Sequence, residues 1–154
     1  AQKRVIIIGG VHIAQALVES LDSLDFETII VDPRTVWANP NRFPNTKIVS
    51  AWPEDALTEI GIDKDTAIVA LTHDPKFDDK AISIGLKSSA FYVGALGGTK
   101  SAKARRERLL ADGLTSELID TLKTPIGLSI GAKGPAEIAV SVVAQLIQVS
   151  RGKT

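Results

Sequence analysis

The chain contains no cysteine. This absence excludes disulfides, thiolate metal ligands and a cysteine nucleophile within its 154 residues. Net charge is also absent, because 18 basic residues balance 18 acidic ones, so the composition predicts affinity neither for nucleic acid nor for an anionic membrane. No apolar run is long enough to span a bilayer, and we find no signal peptide. We therefore expect a single cytoplasmic domain over 1–154, large enough to fold without a disulfide or a metal.

Short apolar runs alternate with segments of helical periodicity. Four runs are rich in β-branched residues, as buried parallel strands are: 5–8, 28–31, 66–71 and 90–93. Residues 47–49 and 126–130 are weaker fifth and sixth candidates. Strands that alternate with helices predict a Rossmann-like, doubly wound α/β fold, with a mostly parallel sheet and helices on both faces.

Helical spacing fills the gaps between these runs. Thr115 is a good N-cap for a short helix as far as Leu122, and Pro135 suits the first turn of a helix over 136–149. The stretch 32–53, rich in proline and asparagine, is predicted to be loop with one turn of helix. Three further sets of residues each share a predicted helix face: Ile13, Ala16, Leu17 and Leu21; Ala81, Ile84 and Gly85; Ala104, Arg108 and Ala111.

The two histidines follow strands that should lie side by side. His12 comes just after the first strand and His73 just after the run 66–71. In an open parallel sheet, ligands bind where the strand order reverses, and we expect both histidines to face that crevice. The alternative is a helix-capping His12 and an ordinary turn at His73. A metal bound through His12, His73 and Asp74 is conceivable, but it would depend on folding to bring these residues together, and no metal site is predicted.

The turn at 9–14, GGVHIA, resembles a dinucleotide-binding turn, which has glycine at its first, third and sixth positions. Those positions are Gly9, Val11 and Ala14. Gly9 permits the tight turn, but the Val11 side chain should crowd a pyrophosphate. The helix N-terminus still offers free N–H groups and a positive dipole end. We therefore expect Gly10, Val11 and His12 to receive a smaller or displaced anion.

Asp32 and Arg34 close the second strand. Asp32 stands 23 positions after Gly9, near the spacing of the acid that binds ribose hydroxyls in dinucleotide-binding domains. Arg34 could bind a phosphate or carboxylate through two parallel hydrogen bonds. The same Asp-Pro-Arg segment could instead form a turn with a local ion pair, and both interpretations are open.

Two later glycine-rich segments also lead into helices. Gly94, Gly97 and Gly98 precede a basic segment, which fails the P-loop pattern because Thr99 stands where that motif has glycine before its lysine. Lys133 lies between glycines before the last helix. Either segment could hold an anion on free N–H groups, or could serve only as a bend before a solvated helix. The basic segment carries Lys100, Lys103, Arg105, Arg106 and Arg108, and a solvated face is favoured from Arg106 onward.

Together these motifs resemble the XdhC/CoxI family, specifically its C-terminal Rossmann-like domain. The resemblance lies in residues 9–14, 32–34, 42–44, 72–74 with Asp78, 92–97, 125–128 and 130–132. It implies an accessory protein for molybdenum hydroxylases such as xanthine dehydrogenase, which binds the molybdenum cofactor and assists its maturation or insertion. The predicted binding residues are Gly9, Gly10, Val11, His12, Asp32, Arg34, Thr72, His73, Asp74, Gly94, Gly97 and Lys133. No catalytic residue is identified.

The resemblance also implies partners. One is the molybdenum hydroxylase apoenzyme, and another is a cysteine desulfurase, because this chain has no thiol to carry a persulfide. The sequence departs from the family at Ser129, often aspartate, and at Gly98-Thr99, often Ser-Arg. Two alternatives stay open: an NAD(P)-binding oxidoreductase or nucleotide sensor, favoured by Asp32 and opposed by Val11, and a non-catalytic scaffold that docks onto a partner. A homodimer is compatible with either.

Overall fold

A computed structural model describes residues 2–153. Five strands form one parallel sheet in the order β3-β2-β1-β4-β5, which confirms the Rossmann-like α/β prediction. The strands are β1 (Arg4–Ile8), β2 (Glu27–Val31), β3 (Lys47–Val49), β4 (Thr66–Ala70) and β5 (Tyr92–Ala95). The helices are α1 (His12–Asp22), α2 (Pro53–Ile60), α3 (Pro75–Leu86), α4 (Thr99–Ala111), α5 (Ser116–Ile119) and α6 (Gly134–Ser150).

Helices cover both faces of the sheet, as predicted. Alternate β1 residues point to opposite sides, so Val5 and Ile7 join one buried cluster while Ile6 and Ile8 join the other. The first cluster is completed by α1 and α6, and the second by α2, α3, α4 and α5. The central strands are buried on both faces. Their sequences are therefore nearly continuous apolar runs and do not alternate between apolar and polar residues.

The predicted sixth strand at 126–130 is wrong. Lys123 instead pairs with the edge of β5: its N–H donates to Val93 O at 2.9 Å, and its carbonyl accepts from Ala95 N at 3.0 Å. The chain cannot continue as a strand from there, because Pro125 has no N–H to donate and Gly127 has a φ of +95°.

The helix predictions need three corrections. The first is α2, which begins at Pro53 and which the sequence pattern did not reveal, whereas the strand candidate at 47–49 is confirmed as β3. Pro53 in its first turn, followed by Glu54 and Asp55, was the signal for this helix. Helix α5 is capped by Thr115 as predicted but ends at Ile119.

The third correction concerns the face of α4. Ala104, Arg108 and Ala111, predicted to line up, are exposed, whereas Arg105 and Leu109 are buried. The hydrophobic pattern could not find this face because one of its two buried residues is an arginine. Among the described residues, no helix is both long and apolar enough to cross a membrane.

Candidate functional site

The turns after β1 and β4 touch at the carboxyl edge of the sheet. These neighbouring strands send their helices to opposite faces, which makes this edge the point where the strand order reverses. Gly9 has a φ of +108°, and a Cβ placed on it would lie 2.7 Å from Thr72 Cγ2. Glycine is therefore required here by both the backbone conformation and the close approach of the second turn.

The N-terminus of α1 opens at this edge without a side-chain cap. Val11 is the N-cap residue, and no described side chain caps the helix by accepting a hydrogen bond from its first N–H groups. Its own side chain packs against the core cluster that includes α1 and α6. The first N–H groups of α1 therefore have no intrahelical partner, and they carry the positive end of the helix dipole.

Asp32 and Arg34 form the local ion pair that the sequence allowed. Asp32 is buried, and its Oδ1 and Oδ2 accept from Arg34 Nε and Nη2, each at 2.9 Å. Asp32 also accepts from the N–H groups of Gly10, at 3.0 Å, and Arg34, at 2.9 Å. Burial by itself raises the pKa of Asp32, but these hydrogen bonds outweigh it and hold the pKa below its usual value. Ribose binding by Asp32 stays a prediction.

Trp37 and Arg42, two residues outside the predicted site, support the glycine turn. Arg42 donates from Nη2 to the Gly10 carbonyl at 2.9 Å and from Nε to the Trp37 carbonyl at 2.8 Å. A Cβ on Gly10 would lie 2.9 Å from that Trp37 oxygen, so the second glycine is required for this close contact. His12 is exposed, and its ring meets Trp37 edge-on at 6.0 Å between ring centroids.

The turn after β4 is organised around a buried carboxylate. Asp78 accepts from the Thr72 hydroxyl at 2.7 Å and from the N–H groups of Thr72, at 3.2 Å, and His73, at 2.9 Å. Burial raises the pKa of Asp78, opposed by these hydrogen bonds and by the charge of Arg105. His73 is exposed, with a φ of +64°, which is rare for a residue other than glycine and typical of functional turns.

Arg34 links the second strand to the turn after β4. Its guanidinium carbon lies 4.8 Å from the centroid of the Phe77 ring, which stacks on Trp52 at 4.8 Å with 12° between the planes. The hydrogen bond to Asp32 raises the pKa of Arg34, with smaller contributions from the charges of Asp74 and Asp78. Trp52 is 43% exposed, so an aromatic ring stands at the rim beside these charges.

The remaining predicted residues lie further from this contact network. Gly94 is inside β5, where a Cβ would meet Ile126 and the Tyr92 ring at 2.8 Å. Close packing therefore requires glycine at this position. Gly97 follows β5 and borders an open cleft of about 380 Å³, which also includes Ser129. Lys133 is exposed at the start of α6, where its N–H donates to the Glu137 carboxylate.

Direct contacts thus join Gly9, Gly10, Asp32, Arg34, Thr72 and His73 at one edge. Asp74, the N-cap of α3, donates its N–H to Thr72 Oγ1 at 3.0 Å and so belongs to the same network. His12 leans toward Trp37, on the β2 side of the turn, while His73 stands on the β4 side. Within residues 2–153, no three histidine or carboxylate side chains are grouped closely enough to hold a metal ion.

These features define a Rossmann-type domain with an uncapped helix N-terminus at its switch point. The chain belongs to the XdhC Rossmann domain family, whose model matches residues 5–146. The family predicted from the motifs is thereby confirmed.

Individual relatives are longer than this chain. It is 34% identical over 127 residues to a probable xanthine dehydrogenase subunit of Bacillus subtilis, covering 82% of this chain and 36% of that protein. It is 28% identical over 105 residues to the molybdenum cofactor insertion chaperone PaoD of Escherichia coli, covering 68% and 32%. A crystal structure described as a xanthine dehydrogenase from Bacillus halodurans matches with a TM-score of 0.84 and 33% identity, covering 99% of this chain and 44% of that one.

Proposed function

We propose that this chain binds the molybdenum cofactor and acts as an accessory domain in the maturation of a molybdenum hydroxylase or in the insertion of its cofactor. Membership of the XdhC Rossmann domain family supports this role, as does similarity to a protein named as a molybdenum cofactor insertion chaperone. The chain spans between 27% and 36% of the length of its curated relatives, so its contribution is that of one domain in such a system.

The observation that carries the proposal is the uncapped N-terminus of α1 at the switch point. Free N–H groups and a helix dipole suit a phosphate, which a pterin cofactor carries either alone or within a dinucleotide. In this proposal the ligand lies across the N-termini of α1 and α4, with its phosphate beside Gly10, Val11 and His12. His73 and Asp74 then border the ligand from the neighbouring turn.

The residues at the edge fit the phosphate end of the cofactor better than its metal. The chain has no cysteine, so it supplies no thiolate to molybdenum and carries no persulfide. Sulfuration therefore belongs to a partner, for which a cysteine desulfurase is the chemical requirement. Delivery requires contact with the hydroxylase apoenzyme, and the proposal includes that interface.

The proposal is tested by purifying the chain from a host that makes molybdopterin and assaying released, oxidised pterin by fluorescence. We expect pterin in stoichiometric amounts with the wild type, and a loss of most of it with His12→Ala and His73→Ala. Lys64→Ala, at an exposed position before β4, is the matched control and should retain pterin. Absence of pterin, together with no binding of added cofactor, would contradict the proposal and favour a docking scaffold.

A second candidate function is the binding of NAD or NADP, favoured by a buried carboxylate at the end of β2. Asp32 has the chain position of a ribose-binding acid, although Arg34 engages both of its oxygens. Calorimetry with both nucleotides tests this candidate. Tight NAD binding that is lost in Asp32→Ala would support it, and Val11→Gly should then raise the affinity by relieving contact with the pyrophosphate. Unchanged affinity in Val11→Gly would show that this side chain is not the obstacle.

A further inference from the structure

Arg105 is a buried arginine with donor nitrogens that are unpaired among the described residues. It is 7% exposed, and its Nε and Nη1 are buried without a hydrogen-bond partner among the described residues. Burying a charged donor without an acceptor is costly, and buried polar groups in proteins are nearly always paired. The unused donors of Arg105 therefore need a specific explanation.

The Arg105 side chain reaches back to the start of its own helix. Its Nη1 lies 3.1 Å from the position of a Cβ on Gly97, immediately before α4. The same position is 3.4 Å from Thr124 Oγ1 and 3.7 Å from Ser101 Oγ. A guanidinium and two hydroxyl groups thus lie around one glycine, where a Cβ would already crowd the guanidinium.

The N-terminus of α4 faces the same place. The N-cap residue is Gly98, which has no side chain with which to cap the 13-residue helix. The first N–H groups of α4 therefore lack an intrahelical partner and carry the positive end of its dipole. Arg105 and Thr124 also line an open cleft of about 400 Å³, whose other residues include Leu122 and Asp120.

Among the described residues, Arg105 has a neighbouring countercharge but no hydrogen-bonded carboxylate. The Asp78 carboxylate is near enough to interact electrostatically, but its hydrogen bonds come from Thr72 and His73. The adjacent Arg106 is different, because it donates to Asp120 at 2.9 Å on the surface. Arg105 thus differs from Arg106 both in its burial and in its unused donors.

We propose that the N-terminus of α4 and Arg105 form a phosphate-binding subsite. A tetrahedral oxyanion there would accept hydrogen bonds from the guanidinium, from the first N–H groups of α4 and from the Thr124 hydroxyl, whereas the Ser101 hydroxyl donates to the Gly98 carbonyl at 3.2 Å. The planar fork of arginine suits two oxygens of one phosphate group.

This inference rests on the proposed function, since it assigns the α4 end of the ligand. Because β5 lies two strands from β1, strand spacing alone separates the subsite from the N-terminus of α1 by about 10 Å. A ligand that used both positions would therefore carry anionic groups separated by about that distance.

The test is titration of the full chain with inorganic phosphate, followed by calorimetry and by phosphorus NMR. We expect Arg105→Met to weaken phosphate binding by about tenfold or more, because hydrogen bonds to a charged group are lost. Arg106→Met, the adjacent control, should stay within about twofold of the wild type, since exposed ion pairs contribute little. Equal losses in the two variants, or an unchanged affinity in Arg105→Met, overturn the subsite.

Thermal unfolding in phosphate-free buffer separates a binding role from a structural one. An arginine held for a ligand is not needed by the empty fold, so Arg105→Met should unfold at the wild-type temperature or above it. A large decrease would show that Arg105 supports the fold and would overturn the inference. Gly97→Ala provides a second test that keeps the arginine, because its Cβ would lie 3.1 Å from Nη1 and would shift the guanidinium. Gly113→Ala, just beyond the opposite end of α4, is its control, as its Cβ meets no protein atom within 4 Å. We expect weaker phosphate binding only in Gly97→Ala, and equal binding by both contradicts the subsite.

The subsite and the proposed function can fail separately. Phosphate binding that depends on Arg105, in a chain that carries no pterin, supports the subsite and contradicts the cofactor role. If the chain carries pterin but its phosphate affinity is unchanged in Arg105→Met, the cofactor role is supported and the subsite is contradicted.

Discussion

Asp32 and Arg34 are joined by two parallel hydrogen bonds of 2.9 Å at the end of β2. The carboxylate is buried, while a third of the arginine side chain is exposed. Because Asp32 also accepts from the Gly10 N–H at 3.0 Å, the pair fixes the position of the turn after β1. An acid expected to hold a ligand thus also holds the protein's own glycine turn.

We expect Asp32→Asn to destabilise the fold in a pH-dependent way. The pKa of Asp32 is lower in the folded chain than its ordinary 3.8, so its contribution to stability is present above about pH 4 and is lost as the pH falls through the folded pKa. The free-energy difference between wild type and variant, measured by urea unfolding, should be about 3 kcal/mol at neutral pH and should shrink toward pH 3. Asp120→Asn, in an exposed ion pair, should cost under about 1 kcal/mol. A difference that stays constant from pH 7 to pH 3 would contradict the assignment.

Gly9→Ala should destabilise the protein through two separable effects. The positive φ costs about 1 kcal/mol for any side chain, and the contact with Thr72 Cγ2 adds to this cost. Gly61→Ala isolates the first effect, because Gly61 has a φ of +79° and its Cβ would meet nothing within 4 Å. Thr72→Ser removes the clashing methyl group and keeps the hydroxyl. In thermal unfolding, Thr72→Ser should restore part of the stability lost in Gly9→Ala. If the effects of the two substitutions simply add, the contact between the two residues is contradicted.

Val11→Asp and Val11→Asn test the N-terminus of α1 as an anion site. Both side chains can cap the helix from this extended backbone position, a contribution of about 1 kcal/mol. Only aspartate places a negative charge where the phosphate is proposed to lie. We expect similar unfolding temperatures for the two variants and a much larger loss of cofactor or phosphate affinity in Val11→Asp. Equal affinities would mean that the anion binds elsewhere.

His73→Gly and His73→Ala separate backbone strain from the function of the ring. Glycine relieves the cost of the φ of +64°, so His73→Gly should be more stable than His73→Ala by about 1 kcal/mol. Both variants lack the imidazole, and both should lose pterin to a similar degree if the ring borders the ligand. Retention of pterin in both variants would limit the role of His73 to the conformation of the turn.

Much of the fold follows from local patterns in the sequence. The runs of β-branched residues at 5–8, 28–31 and 66–71 identified β1, β2 and β4, because strands buried on both faces must be apolar throughout. The faces of α1 and α3 followed from their periodicity. The weak strand at 126–130 failed because the backbone turns at Gly127, so that Ile126 packs beside β5 while Ile130 is exposed.

The candidate site was only partly visible in the sequence. Motifs with fixed spacing revealed the glycine turn, Asp32 with Arg34, and the turn at His73. Trp37, the Trp52–Phe77 stack and the buried state of Arg105 carry no such signature. Arg105 stood in a run of basic residues that is typical of a solvated helix, and only the structure shows that its burial and its unpaired donors distinguish it from Arg106.

The sequence by itself determined the alternation of strands and helices and the glycines at the carboxyl edge of the sheet. Both depend on short-range constraints: side-chain periodicity and backbone conformations that only glycine adopts easily. The tertiary structure alone decided that Arg34 satisfies Asp32, that Thr72 presses on Gly9, and that Arg105 turns inward toward Gly97. These relationships arise because the strands lie in the sheet in an order different from that of the chain, with β4 beside β1, and no local pattern encodes the distances that result.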